Sequence, residues 1–167
     1  MIIALYGASC VGKSTIATQL SPTGLIPIRR CGDVVREFAA NKGVAPDQLS
    51  LEDHQAIDSD SVAWVARHSS IPAIIEGRFL DCVLGEVTSL IHLVHVRAEM
   101  EVRADRWVVR RPGVDGFAEV VCQDEADAAF RLWAYPGIKR LAPQTSVETT
   151  GEVGEWACLL KLLLDPS

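Results

Sequence analysis

The chain opens on an unbroken apolar run, Ile2 to Tyr6, and comparable runs return at 71–77 (IPAIIEG) and 89–96 (SLIHLVHV). Short apolar runs without polar alternation mark strands buried on both faces, the condition of a parallel sheet. Two weaker pieces, 25–28 and 145–149, read as a second and a last strand. Between the runs the apolar positions recur at helical spacing, predicting helices at 13–20, 31–43, 50–69, 98–111, 124–135 and about 152–164. Gly43 falls just past one helix, as a C-terminal stop should. Ser50 stands as an N-cap, with Asp53 three residues on. The segment PGVDG at 112–116 reads as a loop. Strands alternating with helices predict an α/β fold in three layers, a parallel sheet of about five strands covered on both faces. One domain over 1–167 is expected, with binding residues beyond the carboxyl ends of the strands.

The turn after the first strand carries chemistry. Gly7-Ala8-Ser9-Cys10-Val11-Gly12-Lys13-Ser14 fits G-x4-G-K-[ST] at every fixed position, and Thr15 continues it. The glycines let successive N–H groups point inward at phosphate oxygens, and the helix that follows adds its N-terminal dipole. Lys13 would neutralise the β- and γ-phosphates of ATP and Ser14 would ligate Mg2+. Cys10 is expected to serve as a small loop residue through its backbone.

Composition narrows the partners. The chain of 167 residues is 49% hydrophobic and 23% charged, with a net charge of -6. Its pI near 5.2 and mean hydropathy of +0.18 are those of a globular protein, not of a nucleic-acid or anionic-membrane binder. Five scattered cysteines with no CxxC pair read as reduced thiols. No secretory leader pattern or membrane-length apolar run is visible, so a cytoplasmic location is expected.

The remaining residues separate switch, motor and kinase. No N-K-x-D is present to read guanine, and neither LIHLVHV nor IPAIIEG ends in the acidic pair that activates water. Arginines are plentiful instead. Arg103, Arg106 and Arg110 share one helix face at spacings of three and four. Glu99 stands four before Arg103 and favours an ion-paired surface there over a phosphate contact, whereas Arg106 and Arg110 are like charges four apart that a bound anion would relieve. Phosphoryl transfer needs positive charge around the transferring group and little covalent chemistry. Lys13, Mg2+ and several arginines would supply it.

At this point the chain resembles the nucleoside monophosphate kinases, the adenylate and cytidylate kinase group. CGDVVREF is similar to their acceptor segment, which makes Arg36 the residue gripping the acceptor's phosphate. Asp33 either reads the acceptor or caps its helix. In IIEGRFLD, whose EGR is especially close to cytidylate kinases, the resemblance makes Glu76 an acid near Mg2+ and the acceptor, directly or through water. Arg78 becomes another phosphate ligand. DRWVVRRPGVDG resembles the helix entering a lid at about 111–122. There Arg106 would lie against the donor adenine and Arg110 would meet phosphate. DEADAAFRLWAY resembles the helix leaving the lid, where Arg131 would contact the transferring group.

The chain departs from that pattern in lacking an arginine at the start of the lid-exit helix and a zinc-binding cysteine quartet. It also has Cys31 where the family has threonine or serine, and Arg29 and Arg30 add charge beside it. The resemblance implies transfer from Mg·ATP to a nucleoside monophosphate by a monomer or dimer. The open alternatives are a kinase of a nucleoside or non-nucleotide small molecule, and a non-catalytic ATP-binding regulator. Asp124 and Glu125 are expected to cap the lid-exit helix. His92 and His95, three apart on a strand, should face opposite sides.

Overall fold

In the computed structural model, which describes residues 1–149 and Leu159, five strands form one parallel sheet. The strands are β1 (Ile2–Tyr6), β2 (Ile28–Arg30), β3 (Ala73–Gly77), β4 (Ile91–Arg97) and β5 (Thr145–Glu148), in the order β2-β3-β1-β4-β5. All four pairings are parallel, with β1 hydrogen-bonded to β3 on one side and β4 on the other. The helices are α1 (Lys13–Leu20), α2 (Cys31–Lys42), α3 (Leu51–Arg67), α4 (Leu80–Val83), α5 (Met100–Arg110) and α6 (Gly116–Ala134).

Side-chain alternation sorts the central strands between two cores. Ile3 and Leu5 point with Val94 and Val96 toward Ile16 and Leu20 of α1, a face that also takes Leu159. Ile2, Ala4 and Tyr6 point the other way, with Ile75 and Leu93, onto Val65 of α3 and Leu80 and Leu84. Every residue of β1 and β3 is buried, which is why both read as continuous apolar runs. His92 and His95 do face opposite sides. His92 Nε2 lies 2.7 Å from Thr145 Oγ1, whereas the His95 ring stacks on Tyr6 with centroids 4.7 Å apart.

Two elements differ from the expected ones. The second strand occupies Ile28–Arg30 rather than 25–28, and Leu25 is 83% exposed. An edge strand can run into arginines because each finds a carboxylate. Arg29 pairs with Asp60 at 2.6 Å and Arg30 with Glu76 at 3.2 Å. The second difference is α6, which begins at Gly116 rather than near 124. Its N-cap is Asp115, whose carboxylate accepts from the backbone N–H of Phe117 and Ala118, and not Asp124 or Glu125. A Cβ on Gly116 would lie 2.4 Å from the Ala104 carbonyl oxygen, so glycine lets α5 and α6 approach closely. Half of the segment expected as a lid loop is therefore helix, and the turn between the helices is confined to 111–115. Gly43 and Ser50 end and begin their helices as expected, Ser50 in a full capping box with Asp53. The expected terminal helix lies outside the described residues. Among the described residues no helix is long and apolar enough to cross a membrane.

Candidate active site

The chain leaving β1 turns at Gly7, whose φ of 146° lies in the region that glycine favours. A Cβ there would stand 2.2 Å from the Val96 carbonyl oxygen, so the loop passes directly against the end of β4. Cys10 and Gly12 also have positive φ, 62° and 96°. Cys10 is the one non-glycine in that conformation among the described residues, a local strain of the kind found at ligand clamps. These turns curl 7–12 into a cradle whose last residue caps α1.

Inside the cradle Lys13 Nζ donates to the carbonyls of Gly7 (2.8 Å) and Ala8 (2.7 Å). Burial pushes its ammonium down to about 8, against the pull of Glu76. A charge so poorly hydrated is poised for an anion. Next to it, Ser14 Oγ donates to Glu76 Oε2 at 2.9 Å, and Arg30 Nε approaches Glu76 Oε1. Glu76 is buried, which raises its carboxyl from the ordinary value, while Ser14, Lys13 and Arg30 hold it back. A serine hydroxyl and a carboxylate in contact at the N-terminus of α1 are oxygen donors of the type Mg2+ takes. Mg2+ commonly uses one or two protein groups and fills its shell with water and phosphate. No cluster of three or more His, Cys, Asp or Glu suited to a metal exists among the described residues. The Ser14 and Glu76 oxygens therefore fit Mg2+ carried by a polyphosphate.

The arginines of α5 divide. Arg103 is 7% exposed; its Nη1 and Nη2 meet both oxygens of Asp124 (2.9 and 2.6 Å) and its Nε donates to the Ser9 carbonyl at 3.0 Å. It braces the phosphate loop against α6. Arg106 donates to the Cys10 carbonyl and to Thr149, and Thr149 Oγ1 in turn reaches the Val11 carbonyl at 2.6 Å. Arg110, on the exposed end of the helix, reaches Cys10 Sγ at 3.5 Å. All three thus contact the outer wall of residues 9–10.

A cleft of about 260 Å³ opens on the other side of Gly7 and Ala8, lined by Arg78, Phe79, Arg131 and Arg140. Arg78 pairs with Asp127 of α6 and lies over the Phe79 ring. Arg131, also over Phe79, donates from Nη1 to both oxygens of Asp81 and to Cys82 Sγ. Thr15, in the first turn of α1, is exposed. Asp33 and Arg36 pair with each other on the exposed face of α2. Asp33 lines a second pocket over the edge strand with Arg29, Arg30 and Trp64, and Arg36 is not among the residues lining either pocket. Glu76 links Ser14 of the cradle to Arg30 of this second pocket.

Motif reading missed Asp81, Asp127 and Arg140. Asp81 is wholly buried, and its place in EGRFLD offers only the hint of an acid inside an apolar stretch. Arg140 follows α6 in PGIKRL and carries no motif at all. Asp58 and Tyr135 went unread too. Tyr135 donates its hydroxyl to Asp58 at 2.8 Å, and burial pushes the Asp58 carboxyl up to about 6.

A parallel sheet of order 2-3-1-4-5 with this loop after its central strand defines a P-loop α/β protein. The chain matches the AAA domain family over residues 3–124 and belongs to it. No curated protein matches it by sequence. Its fold is that of P-loop kinases. It is similar to TT1252 from Thermus thermophilus (TM-score 0.63, 20% identity, 99% of this chain and 97% of that one). It is also similar to a gluconokinase from Sinorhizobium meliloti 1021 (TM-score 0.57, 16% identity, 97% and 88%). A third likeness is to shikimate kinase from Aquifex aeolicus (TM-score 0.51, 18% identity, 98% and 94%).

Proposed function

We propose that the protein is an ATP-dependent kinase that moves the γ-phosphoryl group of Mg·ATP to a small molecule held in the arginine-lined cleft. One observation carries this reading: the cradle residues Gly7 and Ala8 also line the cleft that holds Arg78 and Arg131. A donor phosphate in the cradle and an acceptor in the cleft would meet across that wall. Phosphoryl transfer asks the protein for alignment and charge neutralisation, and the residues divide those tasks. Lys13 and the loop amides of Gly7, Ala8, Ser9, Cys10, Val11 and Gly12 would hold the donor. Ser14, with Glu76 directly or through water, would hold Mg2+, which neutralises the phosphates as charge shifts between them. Arg106 and Arg110 would bound the donor side, while Arg78 and Arg131 cover the transferring group and the acceptor. Closure of α5 and α6 would exclude water, the competing acceptor.

For the acceptor, a nucleoside monophosphate gripped by Arg36 and Arg78 and read by Asp33 is the reading that the motif resemblance supports. A non-nucleotide hydroxyl compound is favoured by geometry. Arg36 is engaged by Asp33 outside the cleft, and Asp127 already matches the charge of Arg78. The fold shared with a gluconokinase and a shikimate kinase fits that second reading equally well. A cytoplasmic monomer or dimer belongs to the same proposal. An acceptor panel of CMP, dCMP, UMP, AMP and GMP, with nucleosides and hydroxy acids, assayed for ADP release, tests it. Arg36→Ala should raise the acceptor KM with ATP binding intact if the acceptor is a monophosphate, and leave KM unchanged if it is not. ATP binding without acceptor-dependent ADP from any compound would instead indicate a non-catalytic regulator.

A further inference from the structure

The buried carboxylate of Asp81 holds two arginines in the same cleft. Arg131 approaches from α6 and contacts it through Nη1 alone, at 3.1 and 3.0 Å. Arg140 approaches from the segment after α6 and contacts it through Nε alone, at 2.5 Å. Asp81 itself is 0% exposed, and its backbone carbonyl accepts from Leu141 N–H at 2.8 Å, which fixes the Arg140 segment against α4. Each guanidinium therefore keeps one complete two-donor edge without a partner among the described residues. That edge is Nε with Nη2 on Arg131, and Nη1 with Nη2 on Arg140. Such edges match the two oxygens of a carboxylate or phosphate.

The charges agree. One carboxylate faces two guanidiniums, leaving one positive charge unmatched. The two carboxylates that line the cleft are already engaged, Asp124 by Arg103 and Asp127 by Arg78. Tyr6 and His95 are the further titratable groups lining it, and burial holds the His95 ring below its ordinary pKa, toward the neutral form.

We propose that Arg131 and Arg140 form a paired oxyanion site in the cleft, with Arg140 a substrate-binding residue and Asp81 the positioning residue that aims both. The kinase reading enters only in naming the carrier of the oxyanion, which is the substrate in that cleft.

The test is titration of inorganic phosphate into the full chain saturated with ADP, followed by calorimetry. Wild-type protein should bind phosphate. Arg140→Ala should weaken it at least tenfold and Arg140→Lys, which keeps the charge but not the fork, at least threefold. ADP affinity should stay within twofold in both. Asp81→Asn leaves the cleft more positive, yet should weaken phosphate by a similar factor at a temperature where the variant is folded, because the two guanidiniums lose their common anchor. A carboxylate that only balanced charge would strengthen binding on removal. Arg140 is half exposed, so its variants remain informative even if Asp81→Asn fails to fold. Replacing ADP by a non-hydrolysable ATP analogue separates two sources. Retained phosphate binding assigns the site to the acceptor's own anion, and lost binding to the transferring phosphoryl group; either outcome supports the paired site. Unchanged phosphate affinity in Arg140→Ala, or no binding by wild-type protein, overturns it. Failure of every acceptor in the turnover panel, with phosphate binding intact and Arg140-dependent, would remove the kinase reading and leave this site standing.

Discussion

Arg103 separates a brace from a phosphate ligand. Its guanidinium makes three hydrogen bonds, two to Asp124 and one to the Ser9 carbonyl, while its side chain is almost wholly buried. Truncating one partner of a fully buried ion pair costs about 3–5 kcal/mol, because the other charge is stranded. Here Asp124 is 39% exposed and can recover much of its hydration, which lowers that to about 2 kcal/mol. The orphaned Ser9 carbonyl adds about 1 kcal/mol. Arg103→Ala should then destabilise the protein by about 3 kcal/mol, lowering Tm by about 6–12 °C for a chain of this size. Because Ser9 belongs to the cradle, ADP affinity should fall as well, and ADP should restore less stability than it gives the wild type. Scanning calorimetry with and without saturating ADP reads both effects. Asp124→Asn should cost less, since the arginine keeps Ser9 and a neutral amide oxygen. A Tm within 2 °C of wild type, with a loss confined to turnover, would refute the brace and return Arg103 to the phosphate-facing role its helix face suggests.

Three further outcomes follow from buried ionisable groups. Lys13, held near 8, must be charged to meet phosphate, so ADP affinity should be steady below pH 7 and fall as pH rises through about 8. Binding near pH 8 should take up a proton, measurable by calorimetry in buffers of different ionisation enthalpy, and Lys13→Arg should flatten the profile. The unfolded chain carries more protons on Lys13 between about 8 and its ordinary 10.5, so this group's contribution to stability rises with pH across that window. Asp58 has the opposite sign. With its carboxyl raised to about 6 from 3.8, the folded state binds the extra proton, so stability from this group is lost as pH climbs from about 4 through 6. Asp58→Asn should remove that slope in a denaturation series. Glu76→Gln should raise the Mg2+ concentration needed for half-maximal nucleotide binding several-fold, because an amide oxygen is a weaker ligand for a hard cation. An unchanged Mg2+ requirement would take Glu76 out of the metal's surroundings.

The fold was legible where one signal acted alone. β1, β3 and β4 are buried on both faces, so their apolar runs were unambiguous, and Ser50 and Gly43 punctuated helices as their backbone chemistry demands. β2 was misplaced because an edge strand can carry Arg29 and Arg30 once carboxylates from α3 and β3 neutralise them, a pairing no local pattern reveals. The early start of α6 was hidden by PGVDG, which reads as a loop, although the same Asp115 that suggests a turn is an N-cap. In the candidate site, the loop at residues 7–14 was legible because G-x4-G-K-S is a local pattern that needs no distant partner to be read. A motif singles out Arg131 as a candidate, but none points to its ion-pair partner Asp81 or its neighbour Arg140, because their meeting depends on three segments distant in sequence. Arg103 had the spacing of a phosphate ligand and the burial of a structural residue, and burial is not visible in spacing.

Transfer of a phosphoryl group from the cradle to a molecule in the cleft leaves a product that can be identified. Incubating the protein with Mg2+, ATP labelled at the γ-phosphate and each acceptor of the panel, then identifying the labelled product by mass, tests it most directly. Label should appear on one acceptor class, formed together with ADP and largely lost in Lys13→Ala. Label released only as inorganic phosphate, or equal transfer by Lys13→Ala, would contradict it.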